Sequence, residues 1–598
     1  MPTLVNVRRR LKWKGGIIPI ITIGILSLCL LYLMPRNNVT PDMPRDIPKR
    51  PVVVLRQGKI IGIELETGYS QILEAFRGVP YGQSTGGDRR FMPPLPVNDS
   101  TEEFDASKFG DKCPAGPEDS GSQSEDCLNA NIYRPKGRNP RLKLPVVVHF
   151  HGGAFNFGAG ESSRFVAQFV AWSTEPIIAV AFNYRVGAFG FLPSRVIAKA
   201  GLLNAGLKDQ ALLLEWVREN IRTFGGDPDN VTLMGSSAGA HSIGHHLLHN
   251  PSKAPLFHRV ILESGAPTAR AVYSYSNPLH EKQFRDFLAK LNLASTPEND
   301  LFRALRKVPT SDFKKASEAI FGKYNPSVRW PFQPVIDGAN GMISVAPISA
   351  LKAGNFHKVP ILTGFNTNEG AMFVPKKLDA GAQFTDFFRT LLPGLRALDL
   401  EKLNEVYPDP TENPNSKYKE TRPGLGKQFM RLEQAYGQFA YIAPVRQTAH
   451  FAASENHGDG GANWRVKEGG GAPVYLYHFA ASSSVNGGAD HGSHTPWVSY
   501  MPERRDKGEV VRQIAGSMHA YWTSFIVNGD PNGVPGRFPD RMKWPEYRVD
   551  EGRVMVFGEG NDEVAGGEHK GVAVQIKDDG YASEESQFWW NRTELFEF

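Results

Sequence analysis

Cysteine is scarce in this sequence: Cys29, Cys113 and Cys127 are the only three among 598 residues. That number excludes a disulfide-stapled small fold and a multi-zinc array, and leaves room for one intramolecular bridge. Surplus charge of one sign is also missing from most of the chain. There are 68 Lys and Arg against 62 Asp and Glu, a formal +6. Residues 1–50 hold nine of the bases and two of the acids, so the other 548 residues carry 59 bases and 60 acids. A neutral body lacks the basic surplus that neutralises phosphates, which excludes nucleic acid as a partner. No H-E-x-x-H occurs, no internal repeat is present, and nothing calls for a metal or a cofactor.

Long apolar runs are absent with one exception. Gly15 to Met34 is free of charge and long enough to cross a hydrocarbon core as a helix. Five bases precede it and only Arg36 follows closely, so the positive-inside rule puts the N-terminus in the cytosol. No small-residue cleavage site follows Tyr32-Leu33-Met34-Pro35, which favours an uncleaved signal anchor; a long cleaved signal peptide, giving a secreted protein, is the alternative. The expected layout is a cytosolic tail (1–14), a transmembrane anchor (15–34), a Pro-rich stalk (35–51) and one lumenal or extracellular body (52–598). Sequons at Asn38, Asn98 and Asn591 agree with that topology, whereas Asn230 enters an apolar strand and is a poor acceptor.

Within the body, Pro145–Phe150, Ile177–Phe182, Val231–Met234, Val260–Leu262, Val359–Thr363 and Val474–Phe479 are short, nearly continuous apolar runs. Such runs suit strands covered on both faces, as in a parallel sheet between helices. Asp209–Thr223 has a helical apolar stripe, 275–330 and 375–450 look helical, and Gly-rich 457–472 looks like a surface loop. The expected fold class is α/β, a large, mostly parallel open sheet covered by helices, with helical insertions and the active site at the strands' C-terminal ends.

Gly235-Ser236-Ser237-Ala238-Gly239 stands directly after one of those strands and before a helix. A nucleophile elbow needs small residues two positions either side of the serine, and only Ser237 has glycines at both. His149-Phe150-His151-Gly152-Gly153-Ala154 follows another strand as an HGGG-like loop, which makes Gly153 and Ala154, with Ala238, the candidate oxyanion donors.

These motifs are joined by Phe76-Arg77-Gly78-Val79-Pro80-Tyr81, Ser124-Glu125-Asp126-Cys127-Leu128, Phe182-Asn183-Tyr184-Arg185-Val186-Gly187, Gly225-Gly226-Asp227-Pro228, Tyr521-Trp522-Thr523-Ser524-Phe525 and Gly529-Asp530-Pro531-Asn532. From about residue 52 onward the chain resembles the type-B carboxylesterase/cholinesterase family of α/β-hydrolases. The resemblance implies an ester hydrolase with a Ser, acid, His triad acting through an acyl-enzyme. Its acid falls on Glu369 in Gly364-Phe365-Asn366-Thr367-Asn368-Glu369-Gly370, and its histidine on His491 in Gly488-Ala489-Asp490-His491-Gly492-Ser493-His494. His494 is the competing base, and Asp337 is an acid of structural kind. The resemblance further implies a Cys113–Cys127 disulfide, and ion pairs Arg77 with Glu125 and Arg185 with Asp209.

Two departures narrow the function. Ser236 stands where most relatives have Glu, which removes a carboxylate from beside the histidine; an inactive, cholinesterase-like adhesion or binding protein is therefore the second reading. The loop from Pro114 to Asp126 is polar, without the Trp that holds quaternary ammonium in choline-specific relatives and without the apolar residues of a lipase lid. The expected partner is a small-molecule ester, neither a choline ester nor a lipid interface; oligomeric state has no readable signal. His241, His245, His246 and His249 follow the elbow as helix residues, not metal ligands.

Overall fold

Alternate side chains of an apolar strand reach opposite faces, and here both faces are dry. Val146, Val148 and Phe150 belong to one core cluster, while Val147 between them belongs to another across the sheet. The computed structural model describes residues 50–597 apart from 117–120, 138–142, 161–163, 271, 455–472 and 486. The expected anchor, Cys29, Asn38, nearly all of the expected stalk and the expected Gly-rich loop lie outside the described residues. Among the described residues no helix is long and apolar enough to cross a membrane.

The strands run in chain order β1 (Val52–Leu55), β2 (Gly58–Ile61), β3 (Ile63–Leu65), β4 (Leu73–Pro80), β5 (Glu103–Asp105), β6 (Asn129–Pro135), β7 (Leu144–Phe150), β8 (Ile178–Phe182), β9 (Gly226–Ser236), β10 (Arg259–Glu263), β11 (Ile361–Asn366), β12 (Val474–Phe479), β13 (Arg553–Phe557) and β14 (Val574–Asp578). Eleven form one sheet in the order β14-β13-β12-β11-β10-β9-β7-β8-β6-β4-β3, and β1, β2 and β5 form a small second sheet. From β8 to β13 every pairing is parallel; β3, β4, β6 and β14 extend the sheet antiparallel at its two ends. All six apolar runs of the sequence are central strands. The antiparallel ends were not read from it because they mix polar residues into the run, as in Leu73-Glu74-Ala75-Phe76-Arg77 and Val574-Gln575-Ile576-Lys577. Edge strands need only one dry face.

The expected helical regions are helical. Pro278–Lys290, Glu298–Lys307 and Thr310–Tyr324 fill the first, and Gly381–Leu391, Ala397–Val406, Phe429–Gly437 and Ala443–Ala453 fill the second. The last two are joined without a break by a π-helical turn, Gln438–Ile442. These insertions pack a third, aromatic-rich core around Trp330, Phe384, Phe388, Tyr436 and Trp589.

Cys113 and Cys127 are disulfide-bonded. Arg185 pairs with Asp209 at 2.6 Å, both buried. The other expected pair is different: Glu125 accepts from Arg90, at 2.9 Å through Nε, and not from Arg77. Arg77 instead lies over the Phe109 ring at 4.5 Å. Arg90 has the inward position, its guanidinium also reaching the carbonyls of Leu305 and Val308.

Candidate active site

Strand β9 delivers Ser237 into a turn that few side chains tolerate. Ser237 has φ +59° and ψ −128°, and its N–H donates to the Glu263 carbonyl at 3.0 Å. Such a backbone costs about 1–3 kcal/mol and persists only where the surroundings enforce it. Phe150 does so: a Cβ on Gly239 would meet the Phe150 carbonyl oxygen at 2.1 Å, and one on Gly235 would meet it at 2.9 Å. The flanking glycines are thus a steric requirement of the elbow. The helix Ala238–Leu248 starts immediately after, so the Ala238 N–H stands at a helix N-terminus without an intrahelical partner.

The loop after β7 lies against the elbow. A Cβ on Gly152 would sit 2.9 Å from the Ser236 carbonyl and 3.1 Å from Ser237 Cβ. Gly153 has φ +118° and Ala154 φ +55°, and neither N–H donates to an acceptor among the described residues. The loop is held from behind by Tyr184, which stacks on His151 at 4.1 Å and donates its hydroxyl to the His151 carbonyl at 2.8 Å. Gly187 N–H ties down the Phe155 carbonyl at 2.7 Å. The Asn183-Tyr184-Arg185-Val186-Gly187 motif is the buttress of that loop.

Glu369 and His491 come together although 122 residues separate them. His491 Nδ1 is 2.5 Å from Glu369 Oε2, and Glu369 Oε1 accepts the Asn366 N–H at 2.7 Å. Glu369 is fully buried with both oxygens engaged, while His491 Nε2 is buried with no partner among the described residues. His494 is elsewhere: its Nε2 stands 3.8 Å from Glu263 Oε1, which accepts from Trp522 Nε1 at 2.8 Å. Asp337 caps a turn by accepting the N–H groups of Met342 and Ile343. Asp490, the neighbour of His491, has its carboxyl raised to about 6, first by burial and then by the Glu369 charge.

Residues 49–589 match the model of the carboxylesterase family. The chain belongs to this family. It is a serine carboxylic ester hydrolase with the α/β-hydrolase fold. Among its relatives, Secreted lipase 4 of Gibberella zeae is 34% identical over 80% of this chain and 83% of its own length. The inactive carboxylesterase-like protein VdtD of Byssochlamys spectabilis is 31% identical over 77% of this chain and 81% of its own. Among solved structures, Aspergillus niger EstA superposes with a TM-score of 0.73 at 26% identity, covering 92% of this chain and 99% of that one.

Several groups in this carboxylesterase's centre escaped the sequence reading. Tyr441, from the π-helical turn, packs on His491 at 4.3 Å between ring centroids, and Phe373 packs edge-on at 5.0 Å. His241, one turn after Ser237, donates its N–H to the Ser237 carbonyl at 2.9 Å and stacks with Tyr441. Burial holds the imidazoles of His241 and His245 far below their ordinary pKa, His245 at about 3, so both are neutral. No local pattern marks Tyr441, which comes from an insertion, or Phe373, which follows the Gly364–Gly370 motif by three residues. His241 was visible only as one of four clustered histidines.

Proposed function

We propose that this carboxylesterase hydrolyses esters of small molecules with Ser237 as nucleophile, His491 as general base and acid, and Glu369 as the carboxylate that orients it. The observation that carries this reading is the 2.5 Å contact of His491 Nδ1 with Glu369. It fixes the proton on Nδ1 and leaves Nε2 as the acceptor. Ser237 Oγ attacks the ester carbonyl as His491 Nε2 takes its proton. The oxyanion forms against the N–H groups of Gly153, Ala154 and Ala238. Collapse transfers the proton from His491 to the departing alcohol and leaves an acyl-Ser237. Water then repeats the sequence to release the acid. A fluorophosphonate probe is expected to label Ser237 in the folded wild type and not in Ser237→Ala. Folded, unlabelled wild type would favour a binding protein. That second reading draws on Ser236 in place of Glu and on a relative named inactive.

The substrates proposed are soluble or small amphiphilic esters, because the loop from Pro114 to Asp126 offers neither a Trp nor an apolar lid. A relative named a lipase argues the other way. Chain-length preference on p-nitrophenyl esters, against emulsified long-chain triglyceride, separates the two. For localisation we propose the secretory pathway, with 15–34 as signal anchor; secretion, as named for one relative, is the alternative. The Cys113–Cys127 bond and the exposed sequons at Asn98 and Asn591 support it. Extraction by alkaline carbonate would favour secretion, and retention in the membrane pellet the anchor.

A further inference from the structure

The body of the enzyme is neutral, yet the cavity beside its serine is not. This cavity spans about 720 Å³ of space between protein atoms, open solvent at its mouth included. Phe155, next to Ala154, and His241, one helical turn after Ser237, line it. On its far wall Trp330 meets Phe373 at 5.3 Å, and Phe373 in turn meets His491. The cavity therefore lies beside the proposed triad, with Phe373 between its Trp330 wall and His491.

Its described lining contains two guanidinium groups, Arg270 and Arg329, and no carboxylate. Neither forms an ion pair among the described residues, although the protein pairs other half-buried and buried arginines such as Arg90, Arg134 and Arg446. The Arg329 Nε is buried without a hydrogen-bond partner among the described residues. Arg270 sits at φ +68° and lays its guanidinium 3.8 Å above the Trp330 ring. An aromatic face takes one cation, so this one is already filled from within the chain. His280, 3% exposed, lines the same space with both ring nitrogens unpartnered. Burial lowers its pKa to about 4, so at neutral pH it offers one N–H donor without a competing charge. The rest of the wall is mostly apolar or aromatic, including Leu279, Leu392 and Phe439, with His241, His245 and Gln333 as further polar side chains.

We propose that this cavity selects esters carrying a carboxylate on an apolar body, with Arg270 and Arg329 as the anion-binding pair and His280 as an auxiliary donor. The proposal rests on Ser237 and His491 being the reacting groups. It explains in one arrangement why two cations stand without an ion pair and why the Trp330 face is already covered. Arginine suits the task because its planar fork matches a carboxylate.

The test compares mono-4-nitrophenyl glutarate with its methyl ester, in which the distal charge is replaced by one methyl group. For the wild type, kcat/KM for the acid should exceed that for the methyl ester about tenfold or more at low salt, the gain expected of a charge-assisted hydrogen bond. Arg270→Gln and Arg329→Gln should each lower that ratio about tenfold, while Arg270→Lys keeps it within about threefold of wild type. Each ratio is taken within one preparation, so loss of folded protein cancels. A wild-type ratio of one or below overturns the proposal, as does a ratio that neither Gln variant changes. A 4-nitrophenyl ester bearing a trimethylammonium group should be poorer than the neutral ester; the reverse order also overturns it. Should no ester be hydrolysed, the triad reading fails by itself. The anion site is then read by melting shift with monobenzyl glutarate against its methyl ester, where stabilisation by the acid alone, lost in Arg270→Gln, supports the site and equal shifts refute it.

Discussion

Glu369→Gln tests the proposed triad at its most constrained point. The two side chains are isosteric, so packing is unchanged, but an amide has one acceptor where the carboxylate has two. Glu369 Oε1 accepts from Asn366 N–H and Oε2 from His491 Nδ1, and the side chain is fully buried. One of those donors must therefore face an NH2 group. If the amide turns its nitrogen to His491, Nδ1 becomes the acceptor, Nε2 carries the proton, and Ser237 loses its base. The equivalent acid-to-amide change in serine proteases lowers kcat by about 10⁴, roughly 5 kcal/mol of barrier. If the nitrogen turns to Asn366 instead, a buried donor is left unsatisfied, at a cost of about 1–3 kcal/mol in stability, and the imidazolium still loses its counter-charge. The expected result is a fall in kcat of about 10² to 10⁴ on p-nitrophenyl butyrate, with KM little changed and slow labelling by fluorophosphonate. A fall of less than tenfold in folded protein, or a larger loss in His494→Gln, would refute the assignment.

The elbow glycines give a steric prediction. Gly239→Ala drives a Cβ to 2.1 Å from the Phe150 carbonyl and should destabilise by about 3 kcal/mol or abolish soluble expression, whereas Gly322→Ala, with open space around it in the helix Thr310–Tyr324, should stabilise by about 0.5–1 kcal/mol in a denaturant melt. Arg90→Met leaves the buried Glu125 unpaired and should cost about 3–5 kcal/mol; Arg77→Met should cost clearly less in the same melt, and equal losses would contradict the observed pairing. Burial raises the Glu433 carboxyl from 4.5 to about 7, so the folded state holds a proton that the unfolded chain releases, and stability falls as pH rises from about 4.5 through 7. Buried histidines such as His245 and His478, both lowered to about 3, oppose this only below about 6.5, where the unfolded histidine titrates. Between pH 6.5 and 8 Glu433 should thus remove about 1 kcal/mol, and Glu433→Gln should flatten that part of the melting profile against pH.

The central sheet was legible because a strand dry on both faces needs no polar alternation, and its six runs were uninterrupted. Its antiparallel ends were not, since Glu74, Arg77 and Lys577 face partners or solvent from positions a periodicity search rejects. The elbow and the Gly152-Gly153 loop could be read locally, because close backbone approach leaves a glycine signature. Glu369 and His491 had no such signature and rested on resemblance; the two loops are brought together by the pairing of β11 with β12 and by hydrogen bonds between Asn368 and Ala489. Arg77 was assigned Glu125 from resemblance alone, with nothing in its own surroundings to choose between it and Arg90. Part of the cavity wall, from Leu279 to Trp330 and from Leu391 to Phe439, comes from insertions whose helices were predictable but whose inward faces were not. Arg270 and Trp330 lie 60 residues apart, and only the folded chain stacks them.

The π-helical turn Gln438–Ile442 sets a limit on sequence length. One residue in an α-helix corresponds to about 100° of rotation, so the extra residue in this turn decides which way everything beyond it points. Tyr436 before the turn lines the cavity, Tyr441 within it meets His491, and Arg446 after it pairs with Asp579 at 2.7 Å. Deleting a single residue here would restore a regular helix and keep every other side chain, yet turn Arg446 from its carboxylate or Tyr441 from the histidine. Point substitution should be tolerated here more readily than any change in the number of residues between Glu433 and Arg446, so natural variation in this stretch should occur at fixed length.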